Sequence, residues 1–135
     1  MLRKIEHIGI AVSDLQKSNK LFAALLGTEA YKQEEVSTEG VTVSFFKTGE
    51  SKIELLQATN ENSPIAKFIA KKGEGIHHIA FDVADIRAKM AELKNLGFEL
   101  LSDEPKPGAD NKLICFLHPK HTNGVLVELC QERVG

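Results

Sequence analysis

The segment His7-Ile8-Gly9-Ile10-Ala11-Val12-Ser13-Asp14-Leu15 returns 71 residues later as His78-Ile79-Ala80-Phe81-Asp82-Val83-Ala84-Asp85-Ile86. A repeat at this distance constrains the fold more than any bulk property of the chain, because it demands two similar supersecondary units. The same offset relates Phe45 to Phe116, while Gly27 and Gly97 are 70 apart and Glu54 and Glu128 are 74 apart. Loop insertions produce drifts of this size.

The hydrophobic pattern repeats with the letters. Each copy opens with an apolar strand, at 4–12 and 76–84, and continues into Asp14 or Asp85, which suit the N-cap of a helix. The spacing predicts helices over 14–26 and 85–96, closed by Gly27 and Gly97. Their apolar faces are expected from Leu15, Leu21, Phe22, Leu25 and Leu26, and from Ile86, Met90, Leu93 and Leu96. Three strands are expected after each helix, at 29–36, 41–48 and 52–58, then at 98–102, 112–118 and 125–131. Ser63 and Pro64 open a short connecting helix that runs to Lys71. The unit is therefore βαβββ, used twice in an α+β chain: module 1 at 1–58, a connecting helix at 59–75 and module 2 at 76–135. Modules this short bury too little surface to be comfortable alone, so the 135 residues read as one domain.

Composition narrows the function classes. Lys and Arg number 17 against 19 Asp and Glu, a formal charge of −2 with the signs interspersed, whereas a general nucleic-acid binder is normally basic. The apolar runs are short and the N-terminal residues fall into alternation after Lys4, which predicts no membrane span and no targeting peptide. Cys115 and Cys130 lie in apolar stretches without a CxxC motif, as reduced core thiols of a cytoplasmic protein do.

The polar residues set inside apolar strands point to chemistry. Glu54 sits in Ile53-Glu54-Leu55-Leu56 and Glu128 in Leu126-Val127-Glu128-Leu129, while His7 and His78 open the first strand of their copies. A lone strand histidine is usually just packed, and a lone strand glutamate often faces solvent or pairs with a lysine such as Lys52. All four, however, occupy equivalent places in the repeat. A buried carboxylate needs a cation or a hydrogen-bond network. If the copies pack about a pseudo-twofold axis, two imidazoles and two carboxylates converge as a divalent metal site. Mixed nitrogen and oxygen donors suit Co, Zn, Ni, Mn or Fe better than Ca or Mg. Four such ligands on an octahedral ion leave two positions for substrate oxygens, whereas a tetrahedral ion would be closed. His77 points to the opposite strand face from His78, as a structural residue. His118, His121, Lys71, Lys72, Lys106, Lys112 and Lys120 read as loop or surface groups, and neither cysteine is marked as a nucleophile.

The His…Glu…His…Glu pattern and the βαβββ pairing resemble the vicinal oxygen chelate superfamily of glyoxalases, bleomycin resistance proteins and extradiol dioxygenases, over essentially the whole chain. Within it, EHIGIAVSDL, KIELLQ, NSPIAKFI, GEGIHHIAFDV, LSDEPKPGADN and FLHPKHTNGVLVEL resemble stretches of the methylmalonyl-CoA epimerase family. The resemblance implies a cup-shaped mixed sheet around a metal held by His7, Glu54, His78 and Glu128. It further implies an acyl-CoA substrate, a homodimer, and interconversion of the 2R and 2S epimers through a metal-stabilised enolate. Glu128 is the implied base. Some epimerases carry a second Glu where this chain has Val43, which leaves Glu54, Glu39 or a metal-bound water for the second role. Lactoylglutathione lyase (glyoxalase I) is the alternative with the same ligand set, although its usual turn before the last strand differs from His118-Pro119-Lys120. A metal-free binding protein of the bleomycin-resistance type is a third reading, disfavoured by the retention of all four residues.

Overall fold

The computed structural model describes residues 2–134. They form eight strands and three α-helices: β1 (Lys4–Ala11), α1 (Leu15–Leu26), β2 (Lys32–Val36), β3 (Val41–Thr48), β4 (Ser51–Ala58), α2 (Pro64–Lys72), β5 (Gly75–Asp82), α3 (Ile86–Asn95), β6 (Lys106–Gly108), β7 (Lys112–Leu117) and β8 (Val127–Glu132). The chain divides into two compact units, one of residues His7–His77 and one that joins the residues through Glu6 to those from His78 onward. Strand β1 thus begins in one unit and ends in the other.

In the unit His7–His77 the strands lie in the order β2-β3-β4-β1. β3 and β4 form an antiparallel hairpin, and β4 runs parallel to β1. Helix α1 covers the sheet face that carries Phe46 and Leu55, where Val12 and Leu15 complete a buried cluster with Phe22 and Leu26 against it. Each fully buried side chain of this size contributes about 1.5–3 kcal/mol. Leu21 and Leu25, expected on this face, are instead exposed. At about 100° per residue they fall a quarter to a third of a turn away from the stripe of Leu15, Phe22 and Leu26.

The second unit repeats the plan with β6-β7-β8-β5. β7 and β8 are antiparallel, and β8 runs parallel to β5. Helix α3 sets Ile86 and Met90 against Val83, Cys115 and Leu129, with Leu93 packed at the edge. Leu96, expected on that face, lies just past the helix and is exposed.

The two long helices start in the same way. Asp14 accepts from Lys17 N at 3.1 Å and Asp85 from Ala88 N at 3.1 Å. A glutamine from the last strand of each module then satisfies the next free amide: Gln57 Oε1 accepts from Leu15 N at 2.6 Å, and Gln131 Oε1 from Ile86 N at 2.7 Å. Two of the four amides orphaned at each helix start are thereby paired. Gly27 ends α1 with φ +72°, where its N–H donates to Ala23 O. Ser63 caps α2 through Ile65 N, with Pro64 at the first helical position.

One expected strand is displaced. Residues 98–102 make a single bridge, Leu100 to Leu117, and the sixth strand is instead Lys106–Gly108 paired with β7. The strand expected at 98–102 rests on Phe98, Leu100 and Leu101, but the Ser102 hydroxyl donates to Glu104 O at 2.9 Å and turns the chain, so that pairing resumes beyond Pro105. Pro107 then stands on an edge strand, the one place in a sheet where its missing N–H is tolerated.

Candidate functional site

The registers of the two units place the four polar strand residues equivalently. In one, Glu54 on β4 lies opposite Gly9 of β1 and Phe45 of β3. In the other, Glu128 on β8 lies opposite Ala80 of β5 and Phe116 of β7. His7 and His78 each precede the small residue by two positions, on the same face of the strand. A glycine or alanine beside each glutamate leaves room for the carboxylate to turn toward its histidine. The long neighbour on the other side, Phe45 or Phe116, is apolar. The ring of Phe116 also meets His78 edge-on, with centroids 5.8 Å apart.

The geometry within each unit follows. His7 Nδ1 lies 3.1 Å from Glu54 Oε2, and His78 Nε2 lies 2.9 Å from Glu128 Oε1. All four residues are 4–5% exposed. A carboxylate removed from water to this extent requires compensation by donors or a cation. Each pair offers one nitrogen and one oxygen donor in contact, a donor set that fits a borderline divalent ion better than calcium or magnesium.

The remaining residues singled out in the sequence mostly behave as expected. His77 turns away from His78 and packs edge-on against Phe68 of α2, with centroids 5.0 Å apart. His118 Nδ1 accepts from Lys120 N in the turn before β8. Lys120 pairs with Glu99 at 2.5 Å, which lowers the Glu99 carboxyl below its ordinary value, chiefly through the hydrogen bond. Both cysteines are buried, and burial pushes the Cys115 thiol up. Val43 is buried and lies opposite Leu56, two positions along from the Phe45–Glu54 pair and so on the same sheet face as Glu54. Glu39 lies in the 3-10 turn between β2 and β3.

Two residues depart from the sequence reading. Lys112, expected at the surface, has only 11% of its side chain exposed and directs Nζ toward Glu6 Oε2 at 4.0 Å. Glu6, which strict alternation places on the face away from His7, is itself buried. Periodicity could not find it, because its burial comes from the start of β1 joining the unit that holds β7. On β8, Cys130 shares a face with Glu128, and its thiol donates to Glu128 Oε2 at 3.5 Å.

Comparison with known proteins places these features in context. The family model described as the Glyoxalase/Bleomycin resistance protein/Dioxygenase superfamily matches residues 6–116. An ethylmalonyl-CoA/methylmalonyl-CoA epimerase of Cereibacter sphaeroides is 44% identical over 133 residues, covering 97% of this chain and 99% of the relative. A mitochondrial methylmalonyl-CoA epimerase of Homo sapiens is 41% identical, over 96% of this chain and 74% of the relative. Among solved structures, a substituted Streptomyces coelicolor methylmalonyl-CoA epimerase in complex with 2-nitronate-propionyl-CoA superposes with a TM-score of 0.93 at 38% identity, covering 99% of this chain and 97% of that one.

Proposed function

The chain belongs to the Glyoxalase/Bleomycin resistance protein/Dioxygenase superfamily, and from that membership we propose that it is a metal-dependent methylmalonyl-CoA epimerase. The observation that carries the reading is the buried His–Glu pair repeated at one register in both modules. Near-full-length relatives that bear the epimerase name support the substrate, an acyl-CoA. We read the modules at 1–58 and 76–135, with their connector at 59–75, as one domain, and the four residues as the ligands of a single ion. The working protein is a cytoplasmic homodimer. Among the described residues no helix is long and apolar enough to cross a membrane.

In this reading His7, Glu54, His78 and Glu128 hold a divalent cobalt, zinc, nickel, manganese or iron ion. Such an ion supplies Lewis-acid stabilisation for the negative charge that develops on the substrate's thioester oxygen. The residues of the chain move the proton. Glu128 takes the proton from the carbon between carboxylate and thioester, and the C–H electron pair passes into the substrate enolate. Glu54, its repeat mate, begins this step as the carboxylic acid and gives its proton to the opposite face, so that a new C–H bond forms with inverted configuration. Proton exchange with solvent then returns Glu128 to the carboxylate and Glu54 to the acid. Phe45 opposite Glu54 and Phe116 opposite Glu128 give each carboxylate an apolar neighbour in the sheet that excludes water, and burial strengthens each carboxylate's interaction with its histidine.

Incubation with methylmalonyl-CoA in deuterated water tests the proposal. The wild-type protein is expected to exchange the α-proton and to interconvert the epimers. Absence of exchange, together with turnover of the methylglyoxal–glutathione hemithioacetal, would reassign the chain to lactoylglutathione lyase.

A further inference from the structure

The two oxygens of Glu128 have different partners. Oε1 lies 2.9 Å from His78 Nε2, whereas Oε2 accepts from the Cys130 thiol at 3.5 Å. Cys130 is two residues along β8 and therefore on the same strand face. It is fully buried between Ala80 and Ile114, so the thiol cannot exchange this partner for water. An oxygen of the buried Glu6 carboxylate also lies within 4.8 Å of the sulfur, and Lys112 Nζ lies 4.0 Å from Glu6 Oε2. The sequence reading treats Cys130 as an inert core thiol, and the proton transfer above makes no use of it.

We propose that Cys130 is a positioning residue for Glu128: by holding Oε2 it fixes the plane of the carboxylate and leaves Oε1 as the oxygen available to an ion shared with His78. This inference rests on the metal-dependent reading of the site. A glutamate side chain has three rotatable bonds, and His78 restrains only one oxygen. A contact on Oε2 opposes rotation about the terminal bond, which would offer either oxygen or both and degrade a site that needs positions left open for substrate. Hydrogen-bond partners that orient metal-binding side chains typically change metal affinity by about 10–100-fold when removed. The thiol does this from within the strand itself, at a fixed two-residue spacing, so no loop has to order.

Two variants separate positioning from packing. Cys130→Ser keeps a donor at this place, and Cys130→Val keeps the volume without the donor. Each is titrated with Co2+ and followed by visible absorption, then assayed for kcat and KM with methylmalonyl-CoA, with thermal unfolding by circular dichroism confirming that both fold. The expected result is a Co2+ affinity about tenfold weaker in Cys130→Val, with kcat reduced and KM little changed. Cys130→Ser should stay within about twofold of wild type in both. Equal Co2+ affinity and kcat in all three proteins would overturn the proposal, as would equal losses in both variants. A sulfur-to-cobalt charge-transfer band in wild type that vanishes in Cys130→Ser would also overturn it, by making the thiol a ligand. Failure of the wild-type protein to bind Co2+ would be a distinct result that removes the metal reading and this inference together.

Discussion

Glu54 and Glu128 occupy the same register position in their modules, each between a small residue on the parallel neighbour and a phenylalanine on the antiparallel one. Each meets a histidine from the first strand of its own module at 2.9–3.1 Å. The equivalence extends to the helix that follows that strand, where Gln57 and Gln131, three residues after the two glutamates, take the same helix amide. Strand β4 or β8 thus serves both faces of its sheet, with the glutamate on one and the glutamine on the other.

Replacing Glu128 by Gln keeps the shape and removes the base. The exchange of the substrate's α-proton in deuterated water, followed by NMR, is expected to fall by at least about 100-fold. A rate within a few-fold of wild type would reject Glu128 as the base.

Glu54→Gln distinguishes the second role. If Glu54 returns the proton, one epimer should still lose its α-proton to solvent deuterium while inversion stops, because Glu128 works alone on its own face. Chiral analysis of the recovered thioester reads the outcome. Unchanged inversion would shift the role to Glu39 or to a water.

Removal of metal should abolish epimerisation and lower thermal stability, both restored by a divalent ion. At a free metal concentration 100 times Kd, binding stabilises the native state by about 2.7 kcal/mol. His7→Ala and His78→Ala should each reduce the metal content measured by mass spectrometry. A chelated protein with full activity would contradict the metal-dependent reading.

The helix-start contacts should matter to stability and not to chemistry. Gln57→Ala and Gln131→Ala each leave one helix amide without its strand acceptor and are expected to destabilise by about 1 kcal/mol. Urea unfolding should show a lower midpoint at an unchanged slope. The two substitutions should be nearly additive, since they act in separate modules.

Cys115 supplies a pH test. Burial raises its thiol above the ordinary value of 9.0, so the folded state keeps the proton to higher pH than the unfolded chain does. Its contribution to stability is present below the unfolded value and is lost as pH rises from there through the raised folded value. Native protein at pH 8 should therefore react slowly with a thiol reagent and rapidly in urea, and Cys115→Ala should flatten the alkaline fall in stability.

How far the sequence speaks is visible in particular residues. Asp14, Asp85, Ser63 and Gly27 mark helix ends by local chemistry, and the structure uses each of them so. The displaced sixth strand shows the limit: Phe98-Glu99-Leu100-Leu101 has strand propensity, yet the Ser102 turn and the edge beside β7 move the pairing to Lys106–Gly108. Leu21 and Leu25 show it again, because apolar character alone does not say which side of α1 meets the sheet.

The sequence by itself determined the repeat, the βαβββ order and the two histidines and two glutamates at matched places, because these follow from periodicity and spacing along the chain. Only the tertiary structure decided that Lys112 is drawn in toward the buried Glu6, that Gln57 and Gln131 reach back to helix starts, and that Cys130 holds one oxygen of Glu128. Apart from the last, these contacts join residues more than 40 positions apart. The Cys130 contact is local, yet its meaning depends on which face of β8 is buried. Burial and pairing across a sheet are set by the strands that lie alongside, and nothing within a single strand records its neighbours.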